Sequence, residues 1–282
     1  MTEQATLARL SGSWAFALKL NHVPPVKHRR YPRAMTVCIA AKANWAMNEH
    51  IVLCSDWQVG DDSSMWEAPV KFEQHFGLSL TSLLAGSLED ASDLTRLYQE
   101  RLGSRSMKLL ELKEELHAGM NAFKKSLKRR GRDNSDVQLL IAGYVEGSAT
   151  ILYVDRNTVM EPAPYCAIGA GGPNAEAMLK WRLAHEPRDP FFDLSNVVYY
   201  VYEAKRFAEV SPHVGKRITE MIILQQSAEG HLKMDFLAPP TLDYLGEQYK
   251  QYGPQRLPEK RENLRNVPGM ISDPSGHRGG NA

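Results

Sequence analysis

One threonine in this sequence could act as a nucleophile with almost no help from the rest of the chain. Thr36 directly follows Met35, so translation from Met35 and removal of that methionine would leave Thr36 as the first residue. A hydroxyl on residue one can attack a carbonyl carbon while the α-amino group of the same residue accepts the proton. The amine suits this task because its unperturbed pKa is about 7.7–8.0. Taken alone, however, a threonine here is more often a strand residue whose hydroxyl caps a neighbour.

The cysteines and histidines offer weaker alternatives. Cys38 and Cys54 are rival nucleophiles, but each lies in an apolar run, where a buried and inert thiol is the commoner outcome. With Cys166 they make an odd number without a C-x-x-C pair, which argues against a disulfide framework and a structural zinc site. The nine histidines show no H-x-x-x-H spacing. We therefore predict no metal and no cofactor.

The hydrophobic pattern predicts the elements that must position Thr36. Strands are expected at 37–41, 51–54, 72–76, 78–85, 137–144, 150–154, 165–168, 218–224 and 232–236. Helices are expected at about 88–102, 106–129, 174–185 and 191–209. The order of strands, two helices, strands, two helices and strands suits a sandwich of two sheets with a helix pair on each outer face. Gly169 to Gly172 lacks the G-K-[S/T] of a phosphate loop, so we interpret it as a tight turn.

Several short segments, in order, resemble the signature segments of one family. They are Met35–Ala41, Ile51–Asp56, Val70–Lys71, Leu84–Asp90, Ile141–Gly143, Leu152–Asp155 and Ala167–Gly171. Together they resemble proteasome β subunits and their bacterial relatives, which are N-terminal-nucleophile (Ntn) hydrolases. The similarity spans roughly residues 35–237. It implies an α+β fold, a four-layer αββα sandwich of two antiparallel sheets flanked by helix pairs.

The resemblance also implies roles for four residues. Thr36 matches the nucleophile, Lys71 the catalytic lysine, Asp56 the buried carboxylate that holds this lysine, and Gly86 the backbone N–H of the oxyanion hole. An ammonium group near the Thr36 amine would lower the pKa of that amine by like-charge repulsion. Glycine at position 86 would let the backbone approach a substrate carbonyl closely.

Three positions depart from the family's pattern. Active members usually carry a serine in the Gly-rich turn, and an aspartate and a serine shortly before the last hairpin. The corresponding residues here are Ala170, Ser211 and Val214. The sequence also has Met35, not glycine, before Thr36, which favours an internal start over self-cleavage.

Composition and charge exclude some classes of partner. The 282 residues carry 34 Lys and Arg against 33 Asp and Glu, a net charge of +1, so no whole-chain charge points to nucleic acid or to an anionic membrane. The basic run at 124–132 is interpreted as a solvated helix end, because cations are favoured there and no aromatic residues are interleaved. The odd number of widely spaced cysteines favours a reducing, cytoplasmic setting, and no apolar run approaches the ~20 residues of a membrane span.

We expect three regions in the chain. Residues 1–35 are interpreted as a disordered leader, either a propeptide or a mis-assigned start; 36–239 as the folded domain; and 240–282 as an extended or disordered tail. The leading hypothesis is a threonine-type peptidase or amidase in a homo-oligomeric ring or related multimer. A non-catalytic structural subunit and an amidase for a small molecule are the alternatives, since fold alone does not set the substrate.

Overall fold

The structure is a computed structural model, and it describes a defined part of the chain. The described residues are 36–45, 48–56, 58–61, 64–67, 72–75, 79–103, 105–132, 134–162, 164–185, 193–211, 214–216 and 219–253. The expected leader 1–35 and the predicted lysine Lys71 lie outside these residues.

Two five-stranded antiparallel sheets form the centre of the fold. The first has the order β10-β1-β2-β11-β12. Its strands are β1 Cys38–Trp45, β2 Asn48–Asp56, β10 Tyr165–Ile168, β11 Thr219–Gln226 and β12 Leu232–Phe236. The second has the order β5-β6-β7-β8-β9. Its strands are β5 Phe72–His75, β6 Leu80–Ala85, β7 Gln138–Val145, β8 Ser148–Val154 and β9 Val159–Met160.

Four helices cover the outer faces of the two sheets. They are α1 Leu88–Leu102 and α2 Leu109–Arg129 beside the second sheet, and α3 Gly172–His185 and α4 Leu194–Ala208 beside the first. Ser87 caps the start of α1, because the N–H of Asp90 donates to its hydroxyl at 3.4 Å. The predicted four-layer α+β architecture is confirmed.

Alternation along each strand divides the core into layers. Cys38 and Ala40 of β1 face Leu140 and Ala142 of β7 between the sheets. Residues that point the other way from the first sheet pack on α3 and α4, and those of the second sheet pack on α1 and α2. One side of α2 is buried through apolar residues at helical spacing: Leu112, Leu116, Met120, Phe123 and Leu127.

A small two-stranded sheet was not anticipated from the sequence. β3 Gln58–Asp61 and β4 Ser64–Glu67 pair antiparallel directly after β2. Neither segment alternates apolar and polar residues, so the hydrophobic pattern does not predict a strand at either place.

The expectation of an extended tail from residue 240 is wrong up to residue 252, and residues 254–282 lie outside the described part of the chain. A fifth helix, α5 Pro239–Tyr252, follows β12 directly. Two prolines open it, and proline is tolerated in a first helical turn because that N–H has no intrahelical partner. Leu245 is fully buried in the core that α4 shares, so this helix is part of the folded domain. Among the described residues, no helix is long and apolar enough to cross a membrane.

Candidate active site

Thr36 lies two residues before β1, at the end of the sandwich where β2 finishes. It is 4% exposed, and its hydroxyl donates a hydrogen bond to Oδ1 of Asp56. The hairpin of β1 and β2 produces this contact, because the register that pairs Cys38 with Ser55 brings the start of one strand beside the end of the other. The structure thus brings together the predicted nucleophile and the predicted carboxylate.

Asp56 is the last residue of β2 and is fully buried. Besides the bond from the Thr36 hydroxyl, Asp56 accepts two hydrogen bonds from the backbone. The N–H of Val37 donates to Oδ1 at 3.3 Å, and the N–H of Gly215 donates to Oδ2 at 2.7 Å. An ionised carboxylate is a hydrogen-bond acceptor only, so these three donors match it. Hydrogen bonds of this kind are needed to bury a charge at acceptable cost.

The Gly-rich turn after β10 packs on the backbone of Thr36. The N–H of Gly171 donates to the carbonyl of Thr36 at 3.2 Å. Gly169 has a φ of +85°, and a Cβ at that position would overlap the Thr36 carbonyl oxygen. Glycine is therefore required here both for conformation and for space. The predicted tight turn is confirmed by the bond from the N–H of Gly172 to the carbonyl of Gly169 at 3.0 Å.

The positions that depart from the family's pattern supply no hydroxyl or carboxylate in contact with Thr36 among the described contacts. Ala170 is exposed, and the hydroxyl of Ser211 accepts a hydrogen bond from the Asn174 amide at 2.9 Å. Val214 is 3% exposed and packs on Gly171. The segment that contains Val214 does contact the site, but only through its backbone, because the N–H of Gly215 donates to Asp56.

Gly86 follows β6 at the same end of the sandwich as Thr36. The thiol of Cys38 lies 3.4 Å from the carbonyl oxygen of Leu84, which joins the start of β1 to the end of β6 across the two sheets. Thr36 and Gly86 are each two residues from this contact. Gly86 has a φ of +110°, and a Cβ there would lie 2.6 Å from Cα of Val137, so a side chain would not fit.

A second hydrogen-bonded chain supports the Gly-rich turn from the other sheet. Gly169 donates its N–H to Oε1 of Gln138 at 2.9 Å, and the Gln138 amide donates to the hydroxyl of Tyr153 at 3.1 Å. That hydroxyl in turn donates to Asp155 at 2.9 Å. Burial, with Asp155 adding to it, raises the pKa of Tyr153, so its hydroxyl keeps the proton that it donates. Sequence reasoning did not identify Gln138, Tyr153 or Gly215 as parts of the site.

The thiols are poor competitors for the role of nucleophile. All three cysteines are free and buried. Burial raises the pKa of Cys54 far above its ordinary value and that of Cys166 to about 12. A protonated thiol is a weak nucleophile. No group of His, Cys, Asp and Glu suited to hold a metal ion occurs within the described ranges.

Comparison with known proteins agrees with this fold and identifies the family. A family model described as "Proteasome subunit" matches residues 44–189, just over half of the chain. The matched range includes Asp56 but not Thr36 or Gly215. The architecture is that of a proteasome-type Ntn hydrolase, and the chain belongs to the proteasome subunit family.

Two solved structures are similar to this chain at low sequence identity. An Anbu (Gly-1) mutant from Hyphomicrobium sp. strain MC1 is similar over 77% of this chain and 94% of its own, with a TM-score of 0.58 and 11% identity. HslV from Trypanosoma brucei is similar over 68% of this chain and 100% of its own, with a TM-score of 0.49 and 18% identity. The first of these likenesses supports the fold alone. No curated protein sequence matches the chain.

Proposed function

We propose that this protein is a threonine-type N-terminal-nucleophile hydrolase that cleaves peptide or amide bonds, with Thr36 as the nucleophile. The observation that carries the proposal is the hydrogen bond from the Thr36 hydroxyl to the buried carboxylate of Asp56. A hydroxyl held by a fixed acceptor has a defined orientation, and reacting groups that are already oriented before the reaction face a lower barrier.

The reaction proceeds in two halves. The hydroxyl oxygen of Thr36 attacks the substrate carbonyl carbon, and its proton passes to the α-amino group of Thr36. The tetrahedral oxyanion accepts a hydrogen bond from the backbone N–H of Gly86. The C–N bond then breaks, the leaving amine takes the proton, and an ester on Thr36 remains. Water attacks this ester, which releases the acid and restores the hydroxyl. In this proposal Lys71 places its positive charge near the α-amine and is oriented by Asp56.

We extend the proposal to the setting of the protein. Family membership supports a homo-oligomeric ring or a related multimer in the cytoplasm, acting on peptide or amide substrates. Sedimentation analysis of the purified chain at micromolar concentration tests the assembly. A population that contains only monomer contradicts it.

The test of the nucleophile needs a chain that begins at Thr36. Expression from Met35 allows the initiator methionine to be removed, and intact mass shows whether Thr36 is the first residue. We expect this protein to hydrolyse fluorogenic peptide amides, and the Thr36→Ala variant to lose that activity. Thr36→Ser is the matched control because it keeps a hydroxyl on Cβ, and we expect it to retain measurable turnover. A Thr36→Ala protein as active as its parent contradicts the proposal.

A non-catalytic structural subunit is the second candidate, and the apolar packing at Val214 favours it. An isopropyl group at this position cannot relay a proton to the α-amine of Thr36. Absence of turnover for peptide and small amides alike, from protein with a verified Thr36 N-terminus and normal assembly, supports that role. Turnover of small amides without peptide cleavage supports a small-molecule amidase of the same class.

A further inference from the structure

Three charged side chains meet at the end of α4, and two of them are buried. Lys205 is fully buried and Glu209 is 9% exposed. The ammonium of Lys205 and the guanidinium of Arg206 both donate to Oε1 of Glu209, the latter at 3.0 Å. Cations are favoured at a helix C-terminus even when they remain exposed. Burying a lysine there costs several kcal/mol unless its pairing is good, so stability alone is a weak reason for this cluster.

The cluster is bonded to the segment that holds Asp56. Arg206 also donates to the backbone carbonyl of Lys216 at 3.4 Å. Lys216 follows Gly215, whose N–H donates to Oδ2 of Asp56 at 2.7 Å. A continuous path therefore runs from the charges at the end of α4, through the backbone at 215–216, to the carboxylate that binds the Thr36 hydroxyl.

Lys205 also belongs to the helix, α4, that packs on β2, the strand that carries Asp56. Cys54 of this strand is buried in one cluster with Ala204 and Ala208 of α4, the helix that carries Lys205. Cys54 and Asp56 are two positions apart on β2 and therefore point to the same face of the sheet. The charged cluster and the candidate active site thus occupy neighbouring places on this face.

We propose that Lys205, Arg206 and Glu209 form a positioning cluster that fixes the backbone at 215–216, so that Gly215 holds Asp56 in register with Thr36. The proposal rests on the proposed function of Thr36. In this proposal the ion-pair cluster supports a segment whose own residues Ser211 and Val214 carry no charge. Residues of the cluster act through Gly215 and Asp56 and need not touch the substrate.

The experiment removes the link between the cluster and the backbone carbonyl. Arg206→Met keeps most of the aliphatic volume and leaves the Lys205–Glu209 pair in place. Two quantities are measured on the full chain: hydrogen exchange of peptides that span 209–219, and kcat and KM of the form that begins at Thr36. We expect faster exchange in 209–219 and a kcat lowered about 10- to 100-fold, the scale of a misplaced reacting group, with KM nearly unchanged.

A second buried ion pair provides a matched control. Arg182 and Glu203 are both fully buried and form a bidentate pair between α3 and α4, next to the end of α5. The double variant Arg182→Met, Glu203→Gln removes a comparable pair, and we expect parental exchange in 209–219 and parental kcat. Arg206→Lys keeps the charge beside Glu209 but lacks the planar fork of arginine, so its exchange rate in 209–219 and its kcat should lie between those of the parent and of Arg206→Met. If the Arg206→Met protein does not fold, the Arg206→Lys variant takes its place in the experiment.

The outcomes separate this inference from the function on which it rests. If the parent hydrolyses no amide, the proposed function fails, and hydrogen exchange alone still decides whether the cluster holds the segment. Parental exchange in the Arg206 variants overturns the inference, as does faster exchange with a parental kcat in an active enzyme. An equal effect in the Arg182→Met, Glu203→Gln control also overturns it, because the effect would then be general destabilisation.

Discussion

The backbone N–H of Gly215 donates a 2.7 Å hydrogen bond to Oδ2 of Asp56, across 159 positions of the chain. The other carboxylate oxygen binds the Thr36 hydroxyl and the N–H of Val37. Asp56 is therefore held from two sides, by the start of β1 and by the segment before β11. Both sides must be in place for the Thr36 hydroxyl to have a fixed direction.

The first prediction concerns the charge of this carboxylate. Asp56→Asn replaces one acceptor oxygen with an NH2 group, which must then face either the Gly215 N–H or the donors from Thr36 and Val37. We expect the free energy of unfolding to fall by about 1–3 kcal/mol, the usual cost of an unsatisfied buried donor. Turnover should fall by about 10²-fold because Thr36 is no longer held. Denaturant unfolding and peptide-amide kinetics check the two effects, and parental values in both contradict this account of Asp56.

The second prediction separates backbone strain from contact with Thr36. Gly169 and Gly147 have nearly the same φ, +85° and +82°, but nothing lies within 4 Å of a Cβ built on Gly147. Alanine at either position should cost about 1–2 kcal/mol from its left-handed conformation. Gly169→Ala should cost more and should lower turnover, because its methyl group displaces the Thr36 carbonyl. Equal stability and equal turnover in the two variants would show that the turn does not position Thr36.

Much of the fold was predictable because its elements carry strong local patterns. The hydrophobic pattern identified α1 and α2, and it identified the strands of both sheets other than β9. α5 was missed although a signal existed. Leu242, Leu245 and Tyr249 recur at helical spacing after two prolines, but the polar residues between them resemble a tail.

The candidate site was predictable only where it touches the family-like segments. Thr36 and Asp56 lie in such segments and are in contact. Gly215 and Gln138 contribute through a backbone N–H and a side-chain amide from distant strand ends. No local pattern marks such contacts, because they depend on how the two sheets and their turns come together. The assignment of Lys71 stays a prediction, since that residue lies outside the described ranges.

The third prediction concerns acid sensitivity. His50 on β2 is 4% exposed, and burial lowers its pKa below the ordinary value of about 6.5, with the backbone at Leu224 and the charge of Asp235 opposing the shift. Below pH 6.5 the unfolded chain binds a proton that the folded protein resists. The free energy of unfolding should therefore fall as pH decreases through 6.5 and level off below the folded pKa. The total loss is about 1.4 kcal/mol for each unit by which folding lowers the pKa of His50.

Urea unfolding at pH 7.5 and 5.5 measures this dependence. His50→Gln keeps a polar side chain that does not titrate, and we expect the difference between the two pH values to shrink in this variant. A His50→Gln protein with the full parental difference would assign the acid sensitivity to other groups.

The last prediction is that Lys71 serves activity through its charge and position, not through packing. The resemblance places its ammonium beside the Thr36 amine, where a positive charge lowers the pKa of that amine and keeps it available as a base. Lys71→Met retains most of the aliphatic volume and removes the charge. Losing a partner in proton transfer typically lowers the rate by about 10²–10⁴-fold, far more than a modest change in packing.

Three measurements decide the role of Lys71: the melting temperature, the assembly state, and the turnover of a peptide amide by chains that begin at Thr36. We expect the first two to match the parent and the third to fall. Lys125→Met is the matched control, because Lys125 is an exposed cation on α2 and its loss should leave all three values unchanged. If folded Lys71→Met protein turns over substrate at the parental rate, Lys71 is an ordinary surface cation, and the base at Thr36 must act without it.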